Sequence, residues 1–351
     1  METERSAQSA TPIMPAPDAT VQSSRVNWAI PWRRLFSMET PEGWKRDFQR
    51  LAWPFFLWKA LLLTLAALCP GPGYDTSALI FIDPSLKRHK TFSNSSWGDR
   101  LILNLFRWDA LYFIKAAVRG KVHEQEWAFS WAYSWLLSYV GQSPPFYNGS
   151  KSVLQQRIMA TIDISTACHL GSVWMLFRLL TVTVESPRKH QIARLGAILH
   201  IMTPASLFLS SPYAEAPFSL LNITGMLLYA QSRTLARDQQ HSVLGDAYKL
   251  GSGLLFGAAT LMRGNGLLSG LILLYDLASY LPQVFSMRLT VHDVRRMIVT
   301  CVAGGIIALC FVWPQYLAYV EYCSGEDVSD GPPWCQRTIP SIYSWVQSHY
   351  W

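Results

Sequence analysis

The sequence predicts an all-α, polytopic membrane protein, and three observations carry that prediction. Only 15% of the 351 residues are charged while 50% are hydrophobic, against about 25% charged in an average soluble domain. Apolar runs of span length recur along the chain and are separated by loops rich in Lys and Arg. Fifteen tryptophans and fifteen tyrosines suit a protein with two lipid–water interfaces to populate with amphipathic rings. The net charge of +7 lies mostly between the apolar runs and not in one exposed stripe. That distribution points to membrane topology and away from nucleic acid as a partner.

The chain starts with a Ser/Thr/Pro/Ala-rich stretch over residues 1–25 that has no cleavable-signal pattern and reads as a disordered tail. Residues 26–351 read as one membrane domain. The first span is about 51–69, preceded by Arg33, Arg34, Lys45, Arg46 and Arg50, which places its start in the cytoplasm. Lys59 inside it is expected to snorkel toward that side. Residues 70–154 then fall in the lumen, opening with the breaker cluster CPGPGYD. The sequons at Asn94 and Asn148 agree with that side, whereas a third at Asn222 lies inside an apolar run and is set aside. The basic residues of this long loop run against a simple positive-inside count, a rule that weakens for long loops.

Residues 127–141, WAFSWAYSWLLSYVG, are apolar but short, and read as an interfacial or re-entrant helix. Further spans are expected at about 158–180, 191–210, 213–231 and 297–320, with a broken hairpin over 250–281 that crosses twice and turns at RGNG. With that turn, Arg188, Lys189 and Arg194, then Arg233 and Arg237, then Arg288, Arg295 and Arg296 all share the cytoplasm. The lumen receives the 106–129 stretch, SSPYAEAPF, RGNG and a polar loop bracketed by Cys323 and Cys335. Those two cysteines are expected to form a disulfide, which requires an oxidising compartment. Cys69, Cys168, Cys301 and Cys310 lie in or beside apolar runs and read as small hydrophobes.

No P-loop, GxGxxG, GxSxG, HExxH or paired CxxC occurs, so kinase, hydride-transfer, serine-hydrolase and zinc chemistry have no footing. Asp109 sits at the start of a helix whose apolar face is Leu111, Ile114 and Val118, with Lys115 and Arg119 opposite. Its position alone leaves an N-cap and a catalytic carboxylate both open. Glu124 and Glu126, in HEQEW, either cap the next helix or accept hydrogen bonds from sugar hydroxyls. His123 beside them is a poor ligand pattern, and no metal is expected. Glu215 starts a span, as a cap or as a polar group of the site. Arg263, beside two glycines at a helix break, suits a phosphate; it otherwise pairs with Glu215 or with Asp163, which is expected to face other helices. Carboxylates, cations and aromatics beside lipid suit transfer chemistry on a lipid-linked phosphate.

RWDALYFIKAAVRGKVHEQEWAF, SSPYAEAPFSLL, ATLMRGNGLLSG and PWCQRTIPSIYSWVQSHYW resemble the GPI mannosyltransferase 2 (PIG-V) family, of fungal type, over nearly everything from about residue 50. The resemblance implies a glycosyltransferase of the GT-C class in the endoplasmic reticulum membrane. Such an enzyme adds the second mannose, α-1,6-linked, to the GPI precursor on the luminal face, from dolichol-phosphate-mannose. It implies an acidic base in the first luminal loop, which Asp109 matches best, with Glu124 and Glu126 as alternatives. Arg107, Arg119 and Arg263 become candidates for the phosphate, and Trp108 and Tyr112 for the sugar or the lipid entry. Gln347 and His349 lie in a closing motif that the family continues with a further span, so a longer C-terminus is expected. No cofactor or obligatory metal is implied, and a small single-pass stabilising subunit is a possible partner. The rival readings are a protein O-mannosyltransferase, whose acidic pair before Trp108 is absent here, and a non-catalytic lipid-linked-sugar transporter or assembly subunit.

Overall fold

The computed structural model describes residues 41–69, 75, 97–142, 153–238, 243–324 and 331–350. The expected tail, Asn94, Asn148 and Trp351 lie outside them. The described residues form helices and turns, with no strand among them. In chain order the helices are α1 Pro41–Leu68, α2 Trp97–Leu105, α3 Ala110–Arg119, α4 Trp131–Val140, α5 Val153–Thr183, α6 Lys189–Ile201 and α7 Glu215–Asp238. They continue with α8 Val243–Met262, α9 Gly270–Ala278, α10 Leu281–Phe285, α11 Val291–Cys323 and α12 Ile342–His349. Short 3-10 turns cover Glu124–Ala128, Gly264–Ser269 and Pro333–Gln336. Three stretches are long and apolar enough to cross a membrane: Gly43–Leu68, Gly264–Phe285 and Val291–Cys323. Their side chains are mostly on the outside of the bundle, as a lipid solvent allows.

Small residues and hydroxyls set how the long helices pass one another, the packing expected where close backbone approach and interhelical hydrogen bonds replace hydrophobic contrast. Ser165 Oγ of α5 donates to the Ser211 carbonyl at 3.1 Å, just ahead of α7. Ser232 Oγ of α7 donates to the Gly245 carbonyl of α8 at 2.7 Å. Gly253 of α8 lies so close to α11 that a Cβ there would stand 2.8 Å from Ala303 Cα. The hairpin reverses where RGNG predicts. Lys249, early in α8, meets Asp276, late in α9, so the chain doubles back between them through the Gly264–Ser269 turn.

These pairings sort the loops by end. At one end lie the starts of α1, α6, α8 and α11 with the last turns of α5, α7 and α9, where Asp47 meets Arg194 and Asp246 meets Arg295. At the other end lie α2, α3 and α4, the 202–214 turns, Arg263 and the disulfide-bonded C-terminal turn. The described basic loops and the polar segments that were expected on opposite sides therefore do occupy opposite ends.

Two expectations are corrected. The 191–210 span is a helix only to Ile201, followed by turns to Ala214. Pro204 explains the stop, because its ring disfavours the helical conformation in the residue before it and it has no N–H to give. Lys59 does not snorkel. It is 3% exposed and donates to the carbonyls of Ser206 at 3.2 Å and Leu209 at 3.4 Å and to Ser210 Oγ at 2.5 Å. The unwound 202–214 segment has carbonyls to offer, and a buried ammonium is a natural partner for them.

Replacing Gly253 by Leu is expected to drive side-chain atoms into the α11 backbone and cost about 2–3 kcal/mol. Gly304→Leu, where no atom lies within 4 Å of a Cβ, should leave the protein near wild type. Thermal unfolding of the detergent-solubilised variants checks the difference; equal midpoints would contradict the close α8–α11 contact.

Candidate functional site

At the end that carries the polar segments, a cavity of about 410 Å³ opens between helix termini. Asp109 and Phe113 line it from the start of α3, and Phe129 and Ser130 from the turn before α4. Tyr213 and Glu215 come from the start of α7, Met262 to Asn265 from the α8 break, and Tyr343 and Gln347 from α12.

Asp109 reaches this cavity through a strained turn. Trp108 has φ +53°, a left-handed conformation that disfavours a residue with a Cβ by about 1–2 kcal/mol. Neighbours hold it there. The Trp108 N–H donates to Asp75 Oδ2 at 2.9 Å, and the Tyr213 hydroxyl donates to the Arg107 carbonyl at 2.9 Å. The Arg107 guanidinium donates to Asn104 Oδ1 at 2.5 Å and to the Asp75 carbonyl at 3.4 Å. The carbonyls of residues 107–109 then accept the first amide hydrogens of α3. Asp109 stands at the N-cap position, yet its side chain makes no capping bond. Burial raises its carboxyl above the ordinary range, and the positive charge of Arg263 offsets part of that rise.

Arg263 is extended, φ −149°, and its carbonyl accepts from the Gly266 N–H at 2.8 Å. A Cβ at Gly266 would stand 2.7 Å from the Thr260 backbone. Only glycine lets this turn lie flat on the last turn of α8. The guanidinium so presented forms an ion pair with Glu215 Oε1. Arg263 thus stands between two carboxylates, bonded to Glu215 and acting on Asp109 through its charge.

Glu124 and Glu126 are built into the wall behind the site. Glu126 is 2% exposed. It accepts from the amides of Val122 at 2.8 Å and His123 at 3.3 Å, and from Arg119 Nη2 at 2.5 Å. Burial opposes its charge, but those amides and Arg119 outweigh it and hold the carboxyl below the ordinary range. Beside it, burial pushes the Lys121 ammonium down to about 7, against the pull of Glu126. Lys121 donates to the carbonyls of Glu126 at 2.5 Å and Phe129 at 2.8 Å. Glu124 accepts from two indoles, Trp334 Nε1 at 2.9 Å and Trp345 Nε1 at 2.7 Å. A disulfide joins Cys323 to Cys335, with Cα atoms 5.6 Å apart. These contacts fasten α12 across the opening and bring Tyr343 and Gln347 to the cavity.

Of the residues singled out from the sequence, Asp109, Glu215, Arg263 and Gln347 meet at one cavity. Arg107, Trp108, Tyr112, Arg119, Glu124, Glu126 and His349 are not in its lining. Arg107 faces Asp75 and Asn104, Trp108 is exposed, Tyr112 stacks on Phe129 at 4.2 Å, and His349 stacks on Trp345 at 3.4 Å. Asp163 is exposed and does not face other helices. The inward face of α5 is taken by Thr161, Ser165, His169 and Ser172, all fully buried. Sequence reading passed over Asp75, Tyr213 and Tyr343. Asp75 had a faint signal as the one carboxylate within CPGPGYD; the tyrosines had none among fifteen. Among the described residues no group of three or more His, Cys, Asp or Glu side chains could hold a metal ion.

The family model described as Mannosyltransferase (PIG-V) matches residues 51–351. Among curated proteins, a GPI mannosyltransferase 2 of Aspergillus fumigatus is 37% identical over 88% of this chain and 62% of its own length. Those of Aspergillus oryzae and Chaetomium globosum are 36% and 33% identical, over 86% and 87% of this chain and 65% and 69% of theirs. The chain therefore spans about two thirds of the length of these relatives. No solved structure matches it.

Glu126→Gln is expected to destabilise the protein at pH 7 by about 2–3 kcal/mol, since it removes the charge that satisfies Arg119 and two amides. A depressed folded pKa contributes stability that is present above the unfolded value, about 4.3, and is lost as pH falls through the folded value. The gap between wild type and variant should therefore narrow below about pH 4. Unfolding midpoints across pH test this, and a constant gap would contradict it.

Proposed function

Because this chain belongs to the PIG-V mannosyltransferase family, we propose that the cavity of Asp109, Glu215 and Arg263 transfers mannose from dolichol-phosphate-mannose to a GPI precursor. The proposed transfer adds the second mannose, in α-1,6 linkage, on the luminal face of the endoplasmic reticulum membrane. The observation that carries this reading is the placement of an uncapped, partly buried carboxylate and a guanidinium in one cavity beside the apolar spans.

In the proposed step the Asp109 carboxylate accepts the proton of the acceptor 6-hydroxyl, and that oxygen forms a bond to mannose C1. The bond from C1 to the phosphate oxygen breaks through an oxocarbenium-like state. Its electron pair leaves with dolichyl phosphate, whose charge Arg263 is placed to balance. A raised carboxyl pKa suits this task, because a base works best when its pKa lies nearer the operating pH. Glu215 keeps Arg263 aimed, so the guanidinium waits in position. No resident metal is assigned to the step. Glu124 and Glu126, bonded to indoles and to Arg119, act here through the wall they hold and not as bases. Arg107 and Arg119 likewise serve the strained turn and the wall. Tyr343 and Gln347 close the cavity on the side of α12, where an acceptor sugar would enter.

Asp109→Asn, expressed in cells lacking their own GPI mannosyltransferase 2, tests the reading. Accumulation of the monomannosyl GPI lipid at unchanged protein level is the expected outcome, with a loss of at least about 100-fold in transfer. Continued formation of the dimannosyl lipid would remove Asp109 from the role of base and favour a non-catalytic assembly subunit.

A further inference from the structure

Lys59 lies in the first span, 3% exposed, and the step at Asp109 makes no use of it. A cation so deep in a membrane helix is costly unless its hydrogen bonds are met. Three acceptors meet it, and all three belong to the unwound stretch between α6 and α7. They are the carbonyls of Ser206 at 3.2 Å and Leu209 at 3.4 Å, and Ser210 Oγ at 2.5 Å. The sequence explains why that stretch has carbonyls to offer. Pro204 and Pro212 bracket it, and a proline gives no N–H to a helix. In a continuous helix the Ser206 and Leu209 carbonyls would accept from the amides of Ser210 and Tyr213, four residues on. Here the Ser210 amide donates to the Leu207 carbonyl at 2.9 Å and the Tyr213 amide to the Ser211 carbonyl at 2.7 Å. Lys59 takes the place of those two donors. Trp58 Nε1 donates to Ser206 Oγ at 3.1 Å, so consecutive residues of α1 hold the same turns.

The far end of the stretch carries supports of the site. Ser165 Oγ of α5 donates to the Ser211 carbonyl at 3.1 Å. Two residues on, the Tyr213 hydroxyl donates to the Arg107 carbonyl at 2.9 Å, beside the strained Trp108. Glu215 follows at the start of α7 and pairs with Arg263. No helix runs through 202–214 to fix these groups, so their placement depends on what holds the turns ahead of them. Lys59 itself is not in the lining of the cavity. We propose that Lys59 is a positioning residue for mannosyl transfer, an inference that rests on the reading of the Asp109 cavity given above. By holding the 206–210 turns it sets Tyr213 and Glu215, and through Tyr213 the Trp108 turn that aims Asp109. A displacement on the order of 1 Å at a reacting group costs about 100-fold in rate, even when the change lies far from the chemistry.

Steady-state transfer by the full chain in detergent micelles tests this, with dolichol-phosphate-mannose and a monomannosyl GPI lipid as substrates and rates taken per folded molecule. Lys59→Met should lower kcat about 10- to 100-fold and leave both KM values within about twofold of wild type. Ser210→Ala removes one acceptor and no charge, and should lower kcat about threefold, again with KM unchanged. Lys59→Met and Tyr213→Phe act along one line of contacts, so the double variant should be within about twofold of the slower single. Losses that multiply would overturn the inference, because they would mean Lys59 does not act through Tyr213. A lower folded yield with kcat per folded molecule unchanged would also overturn it, since Lys59 would then serve stability alone. Should Lys59→Met fail to fold, Ser210→Ala decides, and full kcat in that variant overturns the inference. The wild type separates two failures. Absence of wild-type transfer overturns the reading of the cavity, whereas wild-type transfer with Lys59→Met at full rate overturns only the role of Lys59.

Discussion

The architecture of the end that carries Asp109 depends on one cation held between two carboxylates. Arg263 leaves the bundle at the break between α8 and the Gly264–Ser269 turn, bonds Glu215 at the first turn of α7, and lowers the carboxyl of Asp109 at the first turn of α3. Three segments far apart in sequence are thereby tied by charge at a point where three helices start or stop. Remove the guanidinium and Glu215 loses its ion pair, while Asp109 is pushed further toward its neutral form. Strain at Trp108, the Asp75 bond and the Tyr213 hydroxyl are the supports that deliver Asp109 to that meeting. The disulfide and the two indoles on Glu124 do the same for α12.

The bundle separates two kinds of charge. At the end of Asp109, carboxylates outside the wall line an open cavity, and those inside the wall are saturated by amides, indoles and Arg119. At the other end, Asp276 is shared by two cations, Arg233 and Lys249. Between them the long helices pack through hydroxyl-to-carbonyl bonds and glycines. That construction keeps polar groups satisfied without water, and it lets one face of each span stay apolar for lipid.

Much of this was legible in the sequence, and the reasons differ by element. The spans were legible because a lipid solvent writes them as long apolar runs, and the turn at RGNG because glycines break a helix beside a lone cation. The sorting of loops by end followed from where Lys and Arg lie. Asp109, Glu215, Arg263 and Gln347 stood out as polar groups at helix ends, and they do converge. The local partners were not legible. Whether Glu126 is a free base or a buried brace depends on amides four and three residues before it and on Arg119. No composition reveals that the Glu126 side chain turns back onto the amides just ahead of the 3-10 turn. Lys59 looked like a snorkelling residue because the unwinding of 202–214, which supplies its carbonyls, hung on a single proline. Asp75 bonds Trp108 from 33 positions away and Tyr213 bonds Arg107 from 106 positions away, distances at which sequence pattern carries no information.

Arg263 acts on Asp109 through its charge, and the pH dependence of the proposed mannosyl transfer reads that coupling directly. In the proposed step Asp109 must be ionised to accept a proton, so activity should fall on the acid side as Asp109 takes up its proton. Taking the positive charge from position 263 with Arg263→Gln should move that acid limb to higher pH, whatever it does to the maximal rate, while Arg263→Lys should leave it near wild type. An acid limb that stays in place when the charge is gone would mean the two groups do not share a site, and the account would fail with it.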